Sequence, residues 1–283
     1  MENPRRRFLK NTGTAMASLS LSAVIPDRAL AIDDKTTGKK EDPFKVGIAS
    51  WTFVKFKLDA SLEMTERVNV KYLCIKDFHL PINSTSGQIA AFLDQLKKKG
   101  ITGYGVGPIS MRSEDEVNRA FEYAKNVGVK LIVAVPNHEL LPHVEKKVKE
   151  YGFHIAIHNH GIGDKRYPTV ESIYEKIKDL DPRVGICHDI GYSAQMGFDP
   201  ATLTLKYGRR VYEMHIKDMT SNTAEAKDCE IGRGAIDFPK LVKALRKTGY
   251  SGTCSIEMEK DNMDPLPGLA ESVGFFRGVL KSV

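Results

Sequence analysis

The sequence predicts a closed (β/α)8 TIM barrel, an α/β fold, over residues 44–283. Short β-rich runs alternate with amphipathic stretches of helical period, in eight consecutive units. Strands that are each followed by a helix run parallel, because the crossover helix returns the chain to the end of the sheet at which the previous strand began. An open, doubly wound sheet is the alternative, but it usually carries a glycine-rich phosphate loop after the first strand. Here Ser50-Trp51-Thr52-Phe53 follows that strand, and the length suits a barrel of ~250 residues.

The predicted strands are short and apolar. In chain order they are Lys45–Ser50, Lys71–Ile75, Ile101–Val106, Lys130–Val135, Phe153–His158, Val184–Asp189, Val211–His215 and Thr253–Glu257. The clearest amphipathic helices between them are Ser84–Lys99, Ser113–Val127, Glu139–Glu150, Thr169–Lys178 and Asp237–Lys247. Four residues of types that cap helix N-termini open these helices: Ser84, Ser113, Thr169 and Asp237.

The first 31 residues are predicted to be an export signal and not part of the fold. Pro4-Arg5-Arg6-Arg7-Phe8-Leu9-Lys10 resembles the twin-arginine signal of bacteria, and an apolar run over Thr14–Ile25 follows it. This run is about half the ~20 residues of a membrane span. Ala29-Leu30-Ala31 offers a signal-peptidase site. We expect cleavage near Ala31, a periplasmic protein with a linker over residues 32–43, and no stable membrane association after export; a tail with chance arginines is the alternative.

The charge balance does not favour a nucleic-acid partner. The formal net charge is +6, and residues 1–31 contain five basic and two acidic side chains. The rest of the chain is therefore nearly balanced, whereas nucleic-acid-binding proteins concentrate positive charge on one face.

The cysteines do not form a redox or zinc motif, because no CxxC pair occurs among Cys74, Cys187, Cys229 and Cys254. Three of them lie in apolar, strand-like runs, so buried thiols are the expected state. A disulfide stays open as an alternative in an oxidising compartment.

Chemistry in a barrel of this class is carried by the C-terminal ends of the strands and the loops that follow. Four consecutive predicted strands end in groups that bind metals: His158-Asn159-His160-Gly161, His188-Asp189, His215-Ile216-Lys217-Asp218 and Glu257-Met258-Glu259. Mixed imidazole and carboxylate sets suit Mn²⁺, Fe²⁺, Co²⁺ or Zn²⁺, whereas Mg²⁺ and Ca²⁺ prefer oxygen ligands. A single histidine at a strand end is more often only hydrogen-bonded. Four adjacent strand ends together favour one divalent metal ion.

This pattern resembles the xylose isomerase-like superfamily, which includes sugar isomerases, ketose 3-epimerases, inosose dehydratases and endonuclease IV. The resemblance runs over residues 44–281, and the family's Asn-His-Gly, His-x-Lys-Asp and Gly-x-Gly-x-x-Asp motifs match Asn159–Gly161, His215–Asp218 and Gly232–Asp237. The family places its metal ligands at the ends of strands five to eight. The resemblance therefore implies four ligands: His158, Asp189, His215 and Glu257.

Two departures from the family pattern narrow the expected function. The strand-five ligand is usually a glutamate, which in the 3-epimerases forms a pair of bases with the strand-eight glutamate; here it is His158. Tyr192 stands where the strand-six motif usually has a histidine, which endonuclease IV uses for an additional zinc ion. The sequence thus weighs against a two-carboxylate epimerase and against a trinuclear phosphodiesterase.

The leading prediction is a metal-dependent isomerase or epimerase of a non-phosphorylated keto sugar, acting by proton abstraction next to a carbonyl. His160 is the first candidate for the acid–base group, because imidazole titrates near neutral pH. Glu257 and Lys217 are the other catalytic candidates. The candidate substrate contacts are Trp51, Lys76, His79, Tyr192 and Arg233. As alternatives, Trp51 is a core residue, and Lys76 and Lys217 form salt bridges with Asp77 and Asp218.

Two other functions stay open at this point. Expulsion of a leaving group after proton loss would make the protein a lyase or hydratase of 3-keto-glycosides. A non-catalytic periplasmic sugar-binding protein on the same scaffold would bind its ligand without turnover. A small sugar or glycoside is the expected partner in each case, and the sequence leaves metal identity and oligomeric state open.

Overall fold

The computed structural model of the protein describes residues 42–283. The predicted export signal over residues 1–31 and all but the last two residues of the predicted linker lie outside the described residues. Within residues 42–283, no helix is both long and apolar enough to cross a membrane.

Eight parallel strands close into a barrel in the order β1-β10-β7-β6-β5-β4-β3-β2, which confirms the predicted fold class. Strand β10 pairs with β1 and closes the barrel, with Lys45 opposite Thr253 and Ile48 opposite Ile256. Two further short strands, β8 and β9, form an antiparallel pair in the loop after β7. The strands are β1 (Lys45–Ala49), β2 (Tyr72–Ile75), β3 (Thr102–Met111), β4 (Leu131–Pro136), β5 (His154–His158), β6 (Val184–Asp189), β7 (Val211–Ile216), β8 (Asp218–Met219), β9 (Asp228–Cys229) and β10 (Thr253–Ile256).

The helices follow the strands and cover the outside of the barrel with their apolar faces. They are α1 (Leu58–Arg67), α2 (Ser86–Lys98), α3 (Glu114–Val127), α4 (Leu141–Tyr151), α5 (Val170–Ile177), α6 (Ile190–Gln195), α7 (Pro200–Tyr207), α8 (Phe238–Thr248) and α9 (Leu266–Ser282). Short 3-10 turns span Ser50–Phe53, His138–Leu140 and Gly208–Arg210. The second of these turns replaces the first residues of the helix predicted over Glu139–Glu150, so α4 begins at Leu141.

Three of the predicted N-caps are confirmed, because the side chains of Ser113, Thr169 and Asp237 each accept a hydrogen bond from the first turn of their helix. The prediction for α2 was wrong by one residue. Thr85, not Ser84, caps α2, because Gln88 stands three residues after Thr85 and completes a capping box with it.

Strand β3 is longer than predicted. The predicted strand ends at Val106, but Pro108, which cannot donate to a sheet ladder, does not end the strand. In the structure the register with β4 shifts between Val106 and Ile109, and the strand continues to Met111. The extension brings Pro108 and Ser110 to the wall of the cavity described below.

The inside of the barrel forms the floor of the candidate site. Cys74, Val133, Ala156 and Cys187 make a buried cluster of their own, apart from the larger core under the helices. Because side chains alternate along a strand, the inward face continues two residues later to His158 on β5 and Asp189 on β6. All four cysteines are buried and free, as expected for small apolar thiols.

Candidate functional site

The structure brings the four predicted metal ligands together at the C-terminal rim of the barrel. His158, Asp189, His215 and Glu257 each offer one ligand atom, and these four atoms all lie within 4.8 Å of one another. His158 Nε2 is 3.0 Å from His215 Nδ1, and His215 Nδ1 is 3.3 Å from Glu257 Oε2. The four residues are buried, with exposed fractions between 0% and 4%.

Strand register explains why these residues meet. Strands β6 and β7 pair Asp189 with His215, and strands β7 and β10 pair His215 with Ser255. Glu257 follows Ser255 by two residues, so it lies on the same inward face at the rim. Neighbouring parallel strands therefore deliver these side chains to one place.

The buried donor set fits a divalent cation. Asp189 Oδ1 accepts a hydrogen bond from the Tyr192 amide at 2.9 Å, whereas the buried Oδ2 accepts no hydrogen bond from residues 42–283 and has the Lys217 ammonium 3.2 Å away. That oxygen lies 3.6 Å from His158 Nε2 and 3.9 Å from His215 Nδ1. Two imidazoles and two carboxylates around one point are a set that Mn²⁺, Fe²⁺, Co²⁺ and Zn²⁺ accept.

The pKa shifts of His158 and Asp189 also suit ligation. Burial lowers the pKa of His158 to about 4, which favours the neutral imidazole that binds metals. Burial raises the pKa of Asp189, but the Lys217 ammonium and His158 oppose it and bring the pKa down to about 2. Burial lowers the pKa of His215, but the nearby Glu257 carboxylate outweighs it and raises the pKa above its ordinary value, so this imidazole must lose its proton before it can bind a metal.

Asn159 ties the ends of β5 and β6 together and was not among the predicted site residues. Its side-chain amide donates to the Asp189 carbonyl at 3.1 Å and accepts from the Asp189 backbone amide at 2.8 Å. Asn159 is fully buried. Its place in the Asn-His-Gly motif was the available signal, and the geometry makes it a residue that positions Asp189.

Lys217 is buried at the candidate site and does not line the cavity. Its Nζ is 2.8 Å from Glu257 Oε2, 3.2 Å from Asp189 Oδ2 and 2.5 Å from Glu259 Oε1. The alternative expectation of a salt bridge with Asp218 is wrong. Asp218 instead accepts hydrogen bonds from four backbone amides, those of Met219, Gly232, Gly234 and Ile236. The charge of Lys217 therefore offsets three carboxylates at the site.

Lys217→Met is expected to destabilise the metal-free protein by about 3–5 kcal/mol, because it leaves buried carboxylates without their cation. Denaturant unfolding after chelation measures this. The matched control is Lys98→Met: Lys98 pairs with Asp94 at 2.7 Å but is 72% exposed. That change should leave the free energy of unfolding nearly unchanged, because water screens a pair that is exposed on the surface. Equal losses in both variants would contradict the role given to Lys217.

The candidate site opens into a cavity of about 300 Å³. Trp51, Lys76 and Tyr192, three of the predicted substrate contacts, lie on its wall. Trp51 is 41% exposed, so the alternative of a core residue is wrong. Lys76 does pair with Asp77, at 2.8 Å, and also donates to the Pro108 carbonyl at 2.8 Å. The lining residues are Trp51, Lys76, Pro108, Ser110, Val135, His158, His160, Tyr192, Glu257 and Glu259.

His160 lies on the same wall, next to the candidate ligands but outside their set. Its ring centroid is 4.4 Å from that of His158, and 34% of its side chain is exposed. Its Nδ1 lies 3.3 Å from Asp164 Oδ2 without hydrogen-bond geometry. Burial lowers the pKa of His160, while Asp164 opposes this shift. An imidazole in this position can exchange a proton with a molecule in the cavity.

Two of the predicted substrate contacts, His79 and Arg233, are not among the cavity-lining residues. His79 Nε2 lies 3.0 Å from the Phe56 carbonyl and 3.2 Å from Ser61 Oγ. Arg233 forms two hydrogen bonds with the Glu271 carboxylate, at 2.5 and 2.6 Å. Both residues follow strand ends in the sequence, which predicted contact with the substrate. In the structure their side chains instead contact groups that do not line the cavity.

Glu259 is a cavity residue that the sequence did not single out as part of the site. Asp228, the first residue of β9, holds it in place. The Asp228 carboxylate accepts hydrogen bonds from the backbone amides of Glu259 at 2.9 Å and Lys260 at 2.7 Å. The signal in the sequence was the period-two spacing of Glu257 and Glu259.

An eight-stranded parallel barrel with imidazoles and carboxylates gathered at its C-terminal rim defines a TIM-barrel protein with a candidate metal centre. The chain belongs to the xylose isomerase-like TIM barrel family, whose model matches residues 73–279.

Two curated relatives match part of the chain. The rhizopine catabolism protein MocC of Rhizobium meliloti is 29% identical over 136 residues, which are 43% of this chain and 41% of that protein. An inosose dehydratase of Bacillus cereus is 30% identical over 138 residues, which are 43% of this chain and 45% of that enzyme. The chain thus spans less than half the length of these relatives.

Solved structures share the fold over most of the chain. The Escherichia coli 3-keto-D-glucoside 4-epimerase YcjR has a TM-score of 0.68 at 16% identity, covering 83% of this chain and 99% of that one. The IolI protein, solved with a bound zinc atom, has a TM-score of 0.65 at 18% identity, covering 84% and 98%. Related proteins with named activities thus include sugar-processing enzymes, a dehydratase and an epimerase.

Proposed function

We propose that this protein is a metal-dependent enzyme that removes a proton next to the carbonyl of a non-phosphorylated keto sugar. One observation carries the proposal. Four ligand atoms lie within 4.8 Å of one another, and two of their residues, His158 and Glu257, line the same cavity as His160. A cation site and a separate imidazole then face one bound molecule, as acid–base chemistry on a carbonyl compound requires.

His158, Asp189, His215 and Glu257 would hold the ion. When bound there, a divalent ion supplies Lewis acidity toward a carbonyl oxygen. Asn159 keeps the Asp189 backbone against β5, and Lys217 balances the surplus negative charge of the carboxylates. These residues position the ligands and do not need to touch the substrate.

His160 is the residue placed to move the proton, because it lies beside His158 and faces the cavity. Lys76 would bind an oxygen of the substrate. Its ammonium has three donors, of which two are used by Pro108 and Asp77, so one N–H is left for a ligand. The rings of Trp51 and Tyr192 offer apolar faces for a sugar ring.

Elimination is the second candidate outcome, and the histidine at the end of β5 favours it. An epimerase needs a proton-transfer group on each face of the reacting carbon, whereas an elimination needs one base and a leaving group. His158 stands where the 3-epimerases have a carboxylate, and it is buried among the candidate ligands. The similarity to an inosose dehydratase also supports elimination. Loss of water or of an aglycone from a keto-glycoside would be the result.

Export through the twin-arginine signal, which we propose from residues 1–31, would agree with this substrate class. A protein outside the cytoplasm would meet sugars that do not carry phosphate. The sugar and the metal are the parts of the proposal that experiment must supply.

Solvent exchange tests the proposal directly. The Mn²⁺-loaded protein is incubated in D₂O with keto sugars, 3-keto-glycosides and inososes, and NMR follows the hydrogens next to the carbonyl. We expect deuterium incorporation that stops after chelation. Released aglycone or water then identifies elimination, and a changed configuration identifies epimerisation. Exchange that survives complete chelation would refute the metal-dependent step, and binding without exchange would indicate the sugar-binding protein.

A further inference from the structure

We infer that Trp51 and Phe78 form a subsite outside the cavity for a second ring, so that the substrate is a glycoside and not a free monosaccharide. This subsite deepens the proposed function and rests on it in one respect, namely that the reacting sugar occupies the cavity. The ring that the subsite takes is an aglycone with a flat apolar face, from either an aromatic group or a second sugar.

Trp51 and Phe78 are aromatic side chains held partly in solvent at the rim. They are 41% and 38% exposed, and their ring centroids are 6.3 Å apart. Among the large apolar side chains that are exposed within residues 42–283, only these two make ring contact with each other. Exposed aromatic surface is unfavourable in water, and its grouping at a cavity mouth is typical of a ligand site.

The pair is continuous with the candidate site. Trp51 lines the cavity that also contains His160 and Glu257, whereas Phe78 is not one of its lining residues. The cavity, at about 300 Å³, lies at the lower end of the roughly 300–1,000 Å³ of small-molecule sites. A ligand with two rings would therefore extend past Trp51 and reach Phe78.

Both rings are supported by anchored neighbours. The turn that carries Trp51 is fixed to the strand end that carries Glu257, since the Met258 amide donates to Thr52 Oγ1 at 3.0 Å. Phe78 contacts the ring of His79 edge-on, with centroids 4.6 Å apart. His79 in turn bonds to the Phe56 carbonyl through Nε2, at 3.0 Å. His79, predicted to bind substrate itself, thus supports the ring that does.

Trp51 is the one tryptophan of the chain, so its fluorescence reports on ligands bound at this subsite and in the adjoining cavity. The probes are methyl β-glucoside, phenyl β-glucoside and methyl β-cellobioside, which have no free carbonyl and are not turned over. We expect phenyl β-glucoside, methyl β-cellobioside or both to bind about three- to tenfold more tightly than methyl β-glucoside. Preference for the phenyl compound assigns an aromatic aglycone, and preference for the cellobioside assigns a sugar.

Phe78→Ala should bring the affinity ratio close to one, and Phe78→Tyr should keep it. Phe198→Ala is the matched control, because Phe198 is similarly exposed, at 39%, but the ring that contacts Trp51 among residues 42–283 is that of Phe78. Equal affinities for the three probes, no fluorescence response to any of them, or an unchanged ratio in Phe78→Ala would overturn the inference. The titration needs no turnover, so failed solvent exchange with normal probe discrimination would count against the proposed chemistry alone.

Discussion

Asp189→Ala is expected to remove the metal ion from the protein. The Asp189 Oδ2 atom lies 3.6 Å from His158 Nε2, and Asp189 supplies one of the two carboxylates of the candidate ligand set. Loss of a direct ligand should weaken binding by more than the roughly 10- to 100-fold that loss of an outer partner costs. Glu257→Ala should have the same effect. Elemental analysis of the purified variants, with the parent protein alongside, measures it.

Two further variants separate metal loss from damage to the fold. Asp189→Asn keeps the Oδ1 atom that caps α6 by accepting from the Tyr192 amide, and it should still lose the metal. Glu259→Gln is the matched control. Glu259 also contacts Lys217 at the same rim but is not one of the four candidate ligands, so this variant should keep the metal. A full complement of metal in Asp189→Asn would show that these side chains do not share an ion.

His160→Ala is expected to abolish turnover and leave the metal content unchanged. The imidazole faces the cavity next to His158 but lies outside the four candidate ligands. Removal of a positioned acid–base group costs roughly 10²- to 10⁴-fold in rate. The measurement combines initial rates on the keto sugar that shows solvent exchange with elemental analysis of the same preparation.

His154→Ala is the matched control for this variant. His154 begins the same strand, β5, and packs its ring against Tyr212 at the opposite end, with centroids 4.6 Å apart. It should keep both the activity and the metal. If His160→Ala retains its rate, another group moves the proton. If it loses its metal, His160 is a ligand, and the division of roles between His158 and His160 is wrong.

The fold could be predicted because its signals are local and repeat along the chain. Period-two and helical patterns alternate through the barrel, and capping residues such as Ser113 and Thr169 mark where helices begin. The errors fell where two local signals compete. Ser84 and Thr85 are both capping types, and only the box with Gln88 decides between them. Gly107-Pro108 ends a strand by propensity, whereas pairing with β4 carries β3 past it.

The candidate ligands could also be placed from the sequence, since the C-terminal ends of adjacent parallel strands must meet at one rim. Asp189 and His215 are paired by register, so their proximity needs no knowledge of rotamers or loops. The resemblance to a known family selected His158 rather than His160 as the strand-five ligand. Both lie at the rim, and strand alternation alone gives them the same face.

What the chain alone determined is the barrel and the rim at which its polar strand ends gather, because both follow from periodicity and parallel pairing. Tertiary structure decided where each long side chain goes. Lys217 reaches inward to three carboxylates, His79 turns away to the Phe56 carbonyl, and Phe78 comes to lie beside Trp51. Such choices depend on contacts between loops that are distant in sequence, and no local pattern encodes the packing that selects them.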